Sequence, residues 1–283
     1  MNIWAIQILN GISYGMLLFL LAAGLTLTFG LMKIINLTHG SYFLLGGYVG
    51  LSVEQLTGSF LLALVAGSAA VGILAVLTQR FLLNRFLKDE MAQILITFGL
   101  LFLFGDLALW AWGGSTQTIP KPALLADSIP MGGLTFPVYR LAVVAVGVIT
   151  AIFLWWFQEG TRIGAMVRAA VDDAEIAQTL NVNVPLLMTG VFALGAMLAA
   201  AAGVLGGPIL GLFPGADFDV LLLAFVVVIV GGLGSLGGAF VSALIVGLLD
   251  TFTRVFFPEL SYFAIFAPMA VILLFRPGGL VQR

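Results

Sequence analysis

No cysteine occurs in the chain, and histidine occurs once, as His39. The first absence excludes disulfides, thiolate metal sites and a cysteine nucleophile. The second leaves too few ligands for a histidine metal centre, so no metal site is expected. Charge is almost as scarce: charged residues make up 8% of the 283, against about a quarter in an average soluble domain. Such a chain cannot cover a water-facing surface. A net charge of −2 without a basic cluster gives no case for nucleic acid. There is no HExxH or GxSxG pattern, so no catalytic residues are expected and the chain is not read as an enzyme.

What is abundant is apolar sequence, 61% of residues, with a mean hydropathy of +1.18. The chain therefore reads as an all-α polytopic membrane protein, one transmembrane domain over residues 1–283. A helix crosses the hydrocarbon core in about 20 residues. Uncharged runs of that order are Met1–Met32, Gln55–Gln79, Leu141–Gln158, Leu186–Leu210, and Met91–Trp112 apart from Asp106. The first lacks a basic leader and a small-residue cleavage site, so it is expected to be a retained helix rather than a signal peptide. Ile34–Val53 is uncharged but interrupted by polar residues and glycines. Val220–Asp250 is interrupted by Gly231-Gly232-Leu233-Gly234-Ser235-Leu236-Gly237-Gly238, and Leu260–Phe275 closes the set. Eight to nine transmembrane helices are expected, with broken or re-entrant segments near 35–50 and 229–240.

Lysine and arginine in short loops set orientation. With the N-terminus outside and the C-terminus cytoplasmic, the inner loops hold Lys33, Arg80, Arg85, Lys88, Arg162, Arg168, Arg276 and Arg283. The outer side then holds Lys121, Arg140 and Arg254. The proline-rich loop 113–137 lies outside and the polar segment 159–185 inside.

In that inner segment, Ile163, Met166, Val167, Ala170, Ala174 and Ala177 recur at three- and four-residue steps, which makes one apolar helix face. Thr161 is an N-cap candidate, and Asp172 or Asp173 a cap for a second short helix. Asn181 suits a left-handed C-terminal position, and Pro185 the start of the next span. A solvated connector would explain this composition. A docking surface for a cytosolic partner explains its length better, since helix connections are usually about 2–8 residues.

The remaining polar features allow two readings each. The glycines of 231–238 weaken a helix by roughly 1 kcal/mol apiece. They serve close helix packing, or a break beside a cavity, the setting in which irregular backbone survives at membrane depth. The same octapeptide lacks the Lys-Ser/Thr of a phosphate loop, so no cofactor is expected in this chain. Asn36-Leu37-Thr38 matches a glycosylation sequon, but the expected topology puts it at the inner boundary. His39 either makes one hydrogen bond inside the bundle or serves a pathway. Asp106 is expected near the outer interface, accepting hydrogen bonds. Asp250 and Arg254 are spaced to pair along one helix face. Asp217 and Asp219 read as a short outer loop, solvated or in contact with a partner.

Four stretches occur in order: "GLTLTFGLMKIINLTHGSYFLLGGYV", "GTRIGAMVRAAVDDAEIAQTLNVNV", "FVVVIVGGLGSLGGAF" and "LLFRPGGL". Together they resemble the permease subunits of branched-chain amino-acid ABC transporters, and more closely the shorter of that system's two permeases. The resemblance spans nearly the whole chain. It implies a bacterial inner-membrane location in contact with lipid, a second related permease and two cytosolic ATPases that bind ATP and Mg. It also implies a periplasmic solute-binding protein. It places ATPase coupling on the inner segment, at Arg162, Gly164, Arg168, Ala169, Asp173, Ala174 and Ala177. Asn36, Thr38, His39, Ser41, Gly231, Gly232, Gly234 and Ser235 are then expected to line or brace the substrate pathway, because broken helices offer a zwitterion polar backbone. The family often has Gly at Asn181, Lys at Leu223 and Pro at Gly237. Urea and short-chain amide permeases share the family, so the solute class stays open between these and hydrophobic amino acids. A stand-alone channel or secondary carrier would need its own selectivity or proton relay, for which the chain has few intramembrane acids.

Overall fold

The computed structural model describes residues 2–33, 36–86, 89–131, 134–276 and 278–281. Ile35, at the head of the first interrupted segment, and Lys88 and Arg283, used above for orientation, lie outside them. The helices are α1 (Asn2–Met32), α2 (His39–Thr57), α3 (Phe60–Phe81), α4 (Glu90–Trp112), α5 (Val138–Gly160), α6 (Arg162–Asp172) and α7 (Ala174–Thr179). They continue with α8 (Val184–Leu210), α9 (Ala216–Gly231), α10 (Leu236–Phe256) and α11 (Ser261–Phe275). The loop before α5 is not wholly irregular. It carries an antiparallel hairpin, β1 (Ser128–Met131) with β2 (Leu134–Pro137), and Gln117 pairs with Leu212 through bonds of 2.8 and 2.7 Å.

The protein is an all-α polytopic membrane protein. Among the described residues, seven helical stretches are long and apolar enough to cross a membrane: α1, α3, α4, α5, α8, α10, and α11 with the turn before it. The expected count of eight to nine is therefore high. The surplus is α2, whose 19 residues are less apolar, and α9, which has only 16. Both pack among the spans without meeting the length and hydropathy of one.

α1 is the central helix. Its best membrane window is 83% buried, whereas those of α3, α4 and α5 are 22–28% buried and keep the rest for lipid. It packs against α10, α8, α5 and α9, and α2 packs between α8 and α3. Lipid tails are as apolar as leucine, so hydrophobicity alone does not drive helices together; close approach through small residues does. The α2–α8 crossing is built that way. A Cβ on Gly203 would fall on the Phe43 carbonyl oxygen, and one on Gly46 would fall on Ala200. This bears on Gly46 and Gly47, inside the segment near 35–50 expected to be broken or re-entrant. α2 is one continuous helix over His39–Thr57, and those glycines are packing positions within it.

Polar side chains tie the bundle across its crossings. Ser41 Oγ donates to the Leu101 carbonyl at 3.1 Å, Tyr139 Oη to Leu205 at 2.8 Å and Ser242 Oγ to Val227 at 2.6 Å. The hairpin sits at one end of α5 and α6–α7 at the other. The start of α1 lies at the hairpin end, where Trp4 stacks on Phe256 and Arg140 bonds Asn10 at 2.7 Å.

Candidate functional site

Three regions gather the chemistry. The first is the lead-in to α2. Asn36 Oδ1 accepts from the Thr38 backbone N–H at 3.1 Å and from the Thr38 hydroxyl, a local turn that sets the start of the helix. His39 is fully buried, with Gly24 of α1 beside its ring: a Cβ on Gly24 would lie 2.8 Å from Nε2. The Leu21 carbonyl lies toward the ring, yet neither nitrogen reaches normal hydrogen-bond geometry. Tyr42 meets the imidazole edge-on. Asn36, Thr38, His39 and Ser41 are all buried, so the structure brings them together facing protein.

The second region is the break between α9 and α10. Gly232 and Gly234 have φ of 102° and 83°, which glycine adopts without a Cβ clash. Ser235 caps α10, accepting from Gly238 N at 3.1 Å. The chain end docks on the break: Leu280 N donates to the Val230 carbonyl at 2.9 Å and Val281 N to Gly231 at 3.3 Å. Gly30 of α1 meets Gly234 backbone to backbone. The break near 229–240 is present, as expected, and here it is close-packed. Both interrupted segments thus converge on the last third of α1, one at Gly24 and one at Gly30. Thr28, between them, donates back to the Leu25 carbonyl at 2.9 Å and to Gly24 at 3.2 Å, a pattern that bends helices.

Toward the hairpin end, a cavity of about 320 Å³ opens between α1, α2, α8, α9, α10 and α11. Tyr14, Asp219 and Arg254 give it polarity; Phe43, Leu210 and Phe266 are among its apolar lining. None of the eight residues expected on the pathway is part of that lining. Arg254 is held as its spacing suggested: Nε donates to both carboxylate oxygens of Asp250 at 2.8 Å, and Asp250 is buried. Asp217 is corrected. It is not in a solvated loop but buried in the first turn of α9, with Ser41 beside its carboxylate. Asp106 lies exposed late in α4, near Pro214 and Gly215, with no hydrogen bond among the described residues. The sequence held no local signal for this cavity, because its polar residues come from three helices far apart in the chain.

The third region, α6–α7, follows its sequence closely. Thr161 caps α6, accepting from Gly164 N at 3.0 Å, and Asp173 caps α7, accepting from Glu175 N and Ile176 N at 2.9 Å. Asn181 is left-handed with φ 66°, and Pro185 sits in the first turn of α8. Arg168 reaches back to Glu159 at 3.5 Å, bracing the α5–α6 corner. Gly164 and Ala177 are buried; Arg168, Ala169 and Ala174 are half-buried; Arg162 and Asp173 are exposed. The exposed face also carries Ile163, Ile176 and Leu180, the last at 71% exposure. Ile163, expected on the apolar face with Met166 and Val167, is itself exposed, and Ile176 and Leu180 fall outside that face.

The described residues thus form a membrane bundle with a cavity at one end and a partly exposed helix pair at the other. The family is settled by comparison: the model for the branched-chain amino acid transport system permease component matches residues 7–273, so the chain belongs to that family. It is similar to the high-affinity branched-chain amino acid transport system permease protein BraD of Pseudomonas aeruginosa, 26% identical over 98% of this chain and 95% of that one. It is also similar to the corresponding permease protein LivH of Escherichia coli, 24% identical over the same shares. Among solved structures, PsaBC from Streptococcus pneumoniae in complex with Fab aligns at a TM-score of 0.49 and 15% identity, over 94% of this chain and 89% of that chain. That likeness is too loose to bear on function.

Proposed function

We propose that the chain is the translocating subunit of an ATP-driven importer for branched-chain or other hydrophobic amino acids. The observation that carries this is the family match over residues 7–273, on a chain whose composition offers no energy source of its own. The chain forms one permease domain, pairs with a second related permease, and sits in the bacterial inner membrane with the N-terminus outside. Two cytosolic ATPases bind ATP and Mg and hydrolyse it; a periplasmic binding protein delivers the solute. The chain itself performs no covalent chemistry.

Two features fit this scheme. The segment 159–185, with Arg162, Gly164, Arg168, Ala169, Asp173, Ala174 and Ala177, is the ATPase-coupling element. Its division of labour follows burial: Gly164 and Ala177 seat the helices, Arg168 and Asp173 fix their shape, and Arg162 with Ile163, Ile176 and Leu180 meets the partner. Asn36, Thr38, His39 and Ser41 brace one pathway wall, and Gly231, Gly232, Gly234 and Ser235 the other, around the last third of α1. The first group is buried and the second close-packed. Free amino acids are zwitterions that cannot be buried uncompensated, so opening must expose polar groups there.

The test is ATPase stimulation in the assembled complex. Ile176→Glu, which changes an exposed side chain, should abolish stimulation while the chain keeps its stability. Unchanged stimulation with Ile176→Glu and Leu180→Glu together would refute the coupling assignment.

A further inference from the structure

We propose that the groove between α5, α6 and the first turns of α8 is a lipid site, in which one acyl chain of a membrane phospholipid lies along α8 and its phosphate meets Asn183 at the rim. It rests on the membrane fold and not on the import reading.

The groove has a volume of about 450 Å³, and Phe157 of α5, Ile163 of α6 and Leu187, Gly190 and Leu194 of α8 are among its lining. Of the described lining residues, Asn183 alone has a polar side chain. Along α8, Asn183 to Leu194 is about 16 Å at 1.5 Å per residue. That is half of the roughly 30 Å hydrocarbon core, so the groove runs one leaflet deep from the end that carries α6–α7. A volume of 450 Å³ over that length leaves a cross-section of about 28 Å². One extended hydrocarbon chain fits such a slot. A helix 10–12 Å across, at roughly 80–110 Å², does not, and a cytosolic protein does not reach a leaflet deep. At Gly190 an added Cβ would meet nothing within 4 Å, so the slot is open where glycine withholds a side chain. The walls face lipid already: the membrane windows of α5 and α8 are 22% and 39% buried.

The rim suits a phosphate. Asn183 caps α8, its Oδ1 accepting from Leu186 N at 3.1 Å. Its amide nitrogen keeps two N–H donors with no acceptor among the described residues. Arg162 begins α6 immediately before Ile163; its side chain is exposed, with no hydrogen bond or ion pair among the described residues. Basic groups between helices at a membrane surface attract lipid headgroups. Trp155 and Trp156, exposed near the end of α5, mark the headgroup level, where amphipathic rings collect. Arg162 and Ile163 also border the face assigned above to the ATPase. Ile176 and Leu180, the rest of that face, are not in the lining, so lipid site and coupling face share one edge and are otherwise separate.

The test takes the full chain from nanodiscs of phosphatidylethanolamine and phosphatidylglycerol into detergent and counts retained lipid by native mass spectrometry. The unmodified chain should keep one phospholipid. Gly190→Leu places a side chain in the slot without meeting protein, so retention should fall at least about tenfold at an unchanged melting temperature. Asn183→Asp keeps the helix cap but exchanges two donors for a charge that repels phosphate, and retention should fall as well. Gly99→Leu, at an exposed position of α4 where a Cβ also meets nothing within 4 Å, should retain lipid as the unmodified chain does. No phospholipid on the unmodified chain would overturn the proposal, and this outcome needs no variant to fold. So would retention indifferent to Gly190→Leu, or lost equally with Gly99→Leu. A second protein chain held in place of lipid, and released by Gly190→Leu, would overturn it in favour of a subunit contact.

Discussion

Replacing Gly203 by alanine tests the packing logic of the bundle, because the sign of the effect is fixed by geometry. At Gly203 the new methyl would fall on the Phe43 carbonyl oxygen and lie 3.0 Å from Gly47 N. Both are backbone atoms of α2, so no side-chain rotation can relieve the clash and the helices must separate. Overpacking of this kind costs about 1–3 kcal/mol. The intrinsic preference of a helix for alanine over glycine, roughly 1 kcal/mol, offsets part of it. Gly99, within α4, is the control: a Cβ there meets nothing within 4 Å. Only the preference remains, and Gly99→Ala should stabilise by up to about 1 kcal/mol. The assay is thermal unfolding of the detergent-purified chain, followed by loss of the monodisperse peak on size-exclusion chromatography. Gly203→Ala should melt below the unmodified chain and Gly99→Ala at or above it. Equal shifts of the same sign would refute the assignment of α2–α8 as the close-packed crossing.

Other outcomes follow from the same structure. Thr161→Ala and Asp173→Ala should each cost about 1 kcal/mol through a lost helix cap, seen as faster amide hydrogen exchange confined to α6 and α7 respectively. Arg254→Gln leaves the buried Asp250 carboxylate without its cation and should destabilise by less than the about 3–5 kcal/mol of a fully buried pair, since the Arg254 side chain is 59% exposed; adding Asp250→Asn should restore most of the loss in the same melting assay. His39→Ala should leave a cavity beside Gly24 and lower uptake by the assembled complex. Uptake equal to the unmodified chain at every solute concentration would demote His39 to packing.

The parts legible in the sequence were those set by local chemistry. Thr161, Asp173, Asn181 and Pro185 each act within a turn of themselves, and all four sit where capping and turn rules place them. The Asp250–Arg254 pair likewise needs only helical spacing. The spans are read from hydropathy, and the segments holding α2 and α9 read as broken or re-entrant crossings, because a window cannot see that a helix is held by its neighbours. Glycine was the ambiguous residue. Gly46 and Gly234 look alike in a sequence, yet one packs inside a helix and the other turns the chain with positive φ. Only the partner across the crossing, Ala200 in the first case and Gly30 in the second, decides between them. The same holds for Asp217, which reads as a loop acid until Ser41 of α2 is found beside it. The cavity was invisible for the most general reason: Tyr14, Asp219 and Arg254 meet only after the bundle has formed.

The central claim is that this chain moves an amino acid at the expense of ATP hydrolysed by its partners. The direct measurement is radiolabelled leucine uptake into proteoliposomes holding the chain, the second permease and both ATPases, with the loaded binding protein on the outer side and ATP or a non-hydrolysable analogue within. The account predicts accumulation with ATP only, lost when Ile176→Glu is introduced. Uptake that proceeds equally without hydrolysis, or that runs with this chain alone, would contradict it.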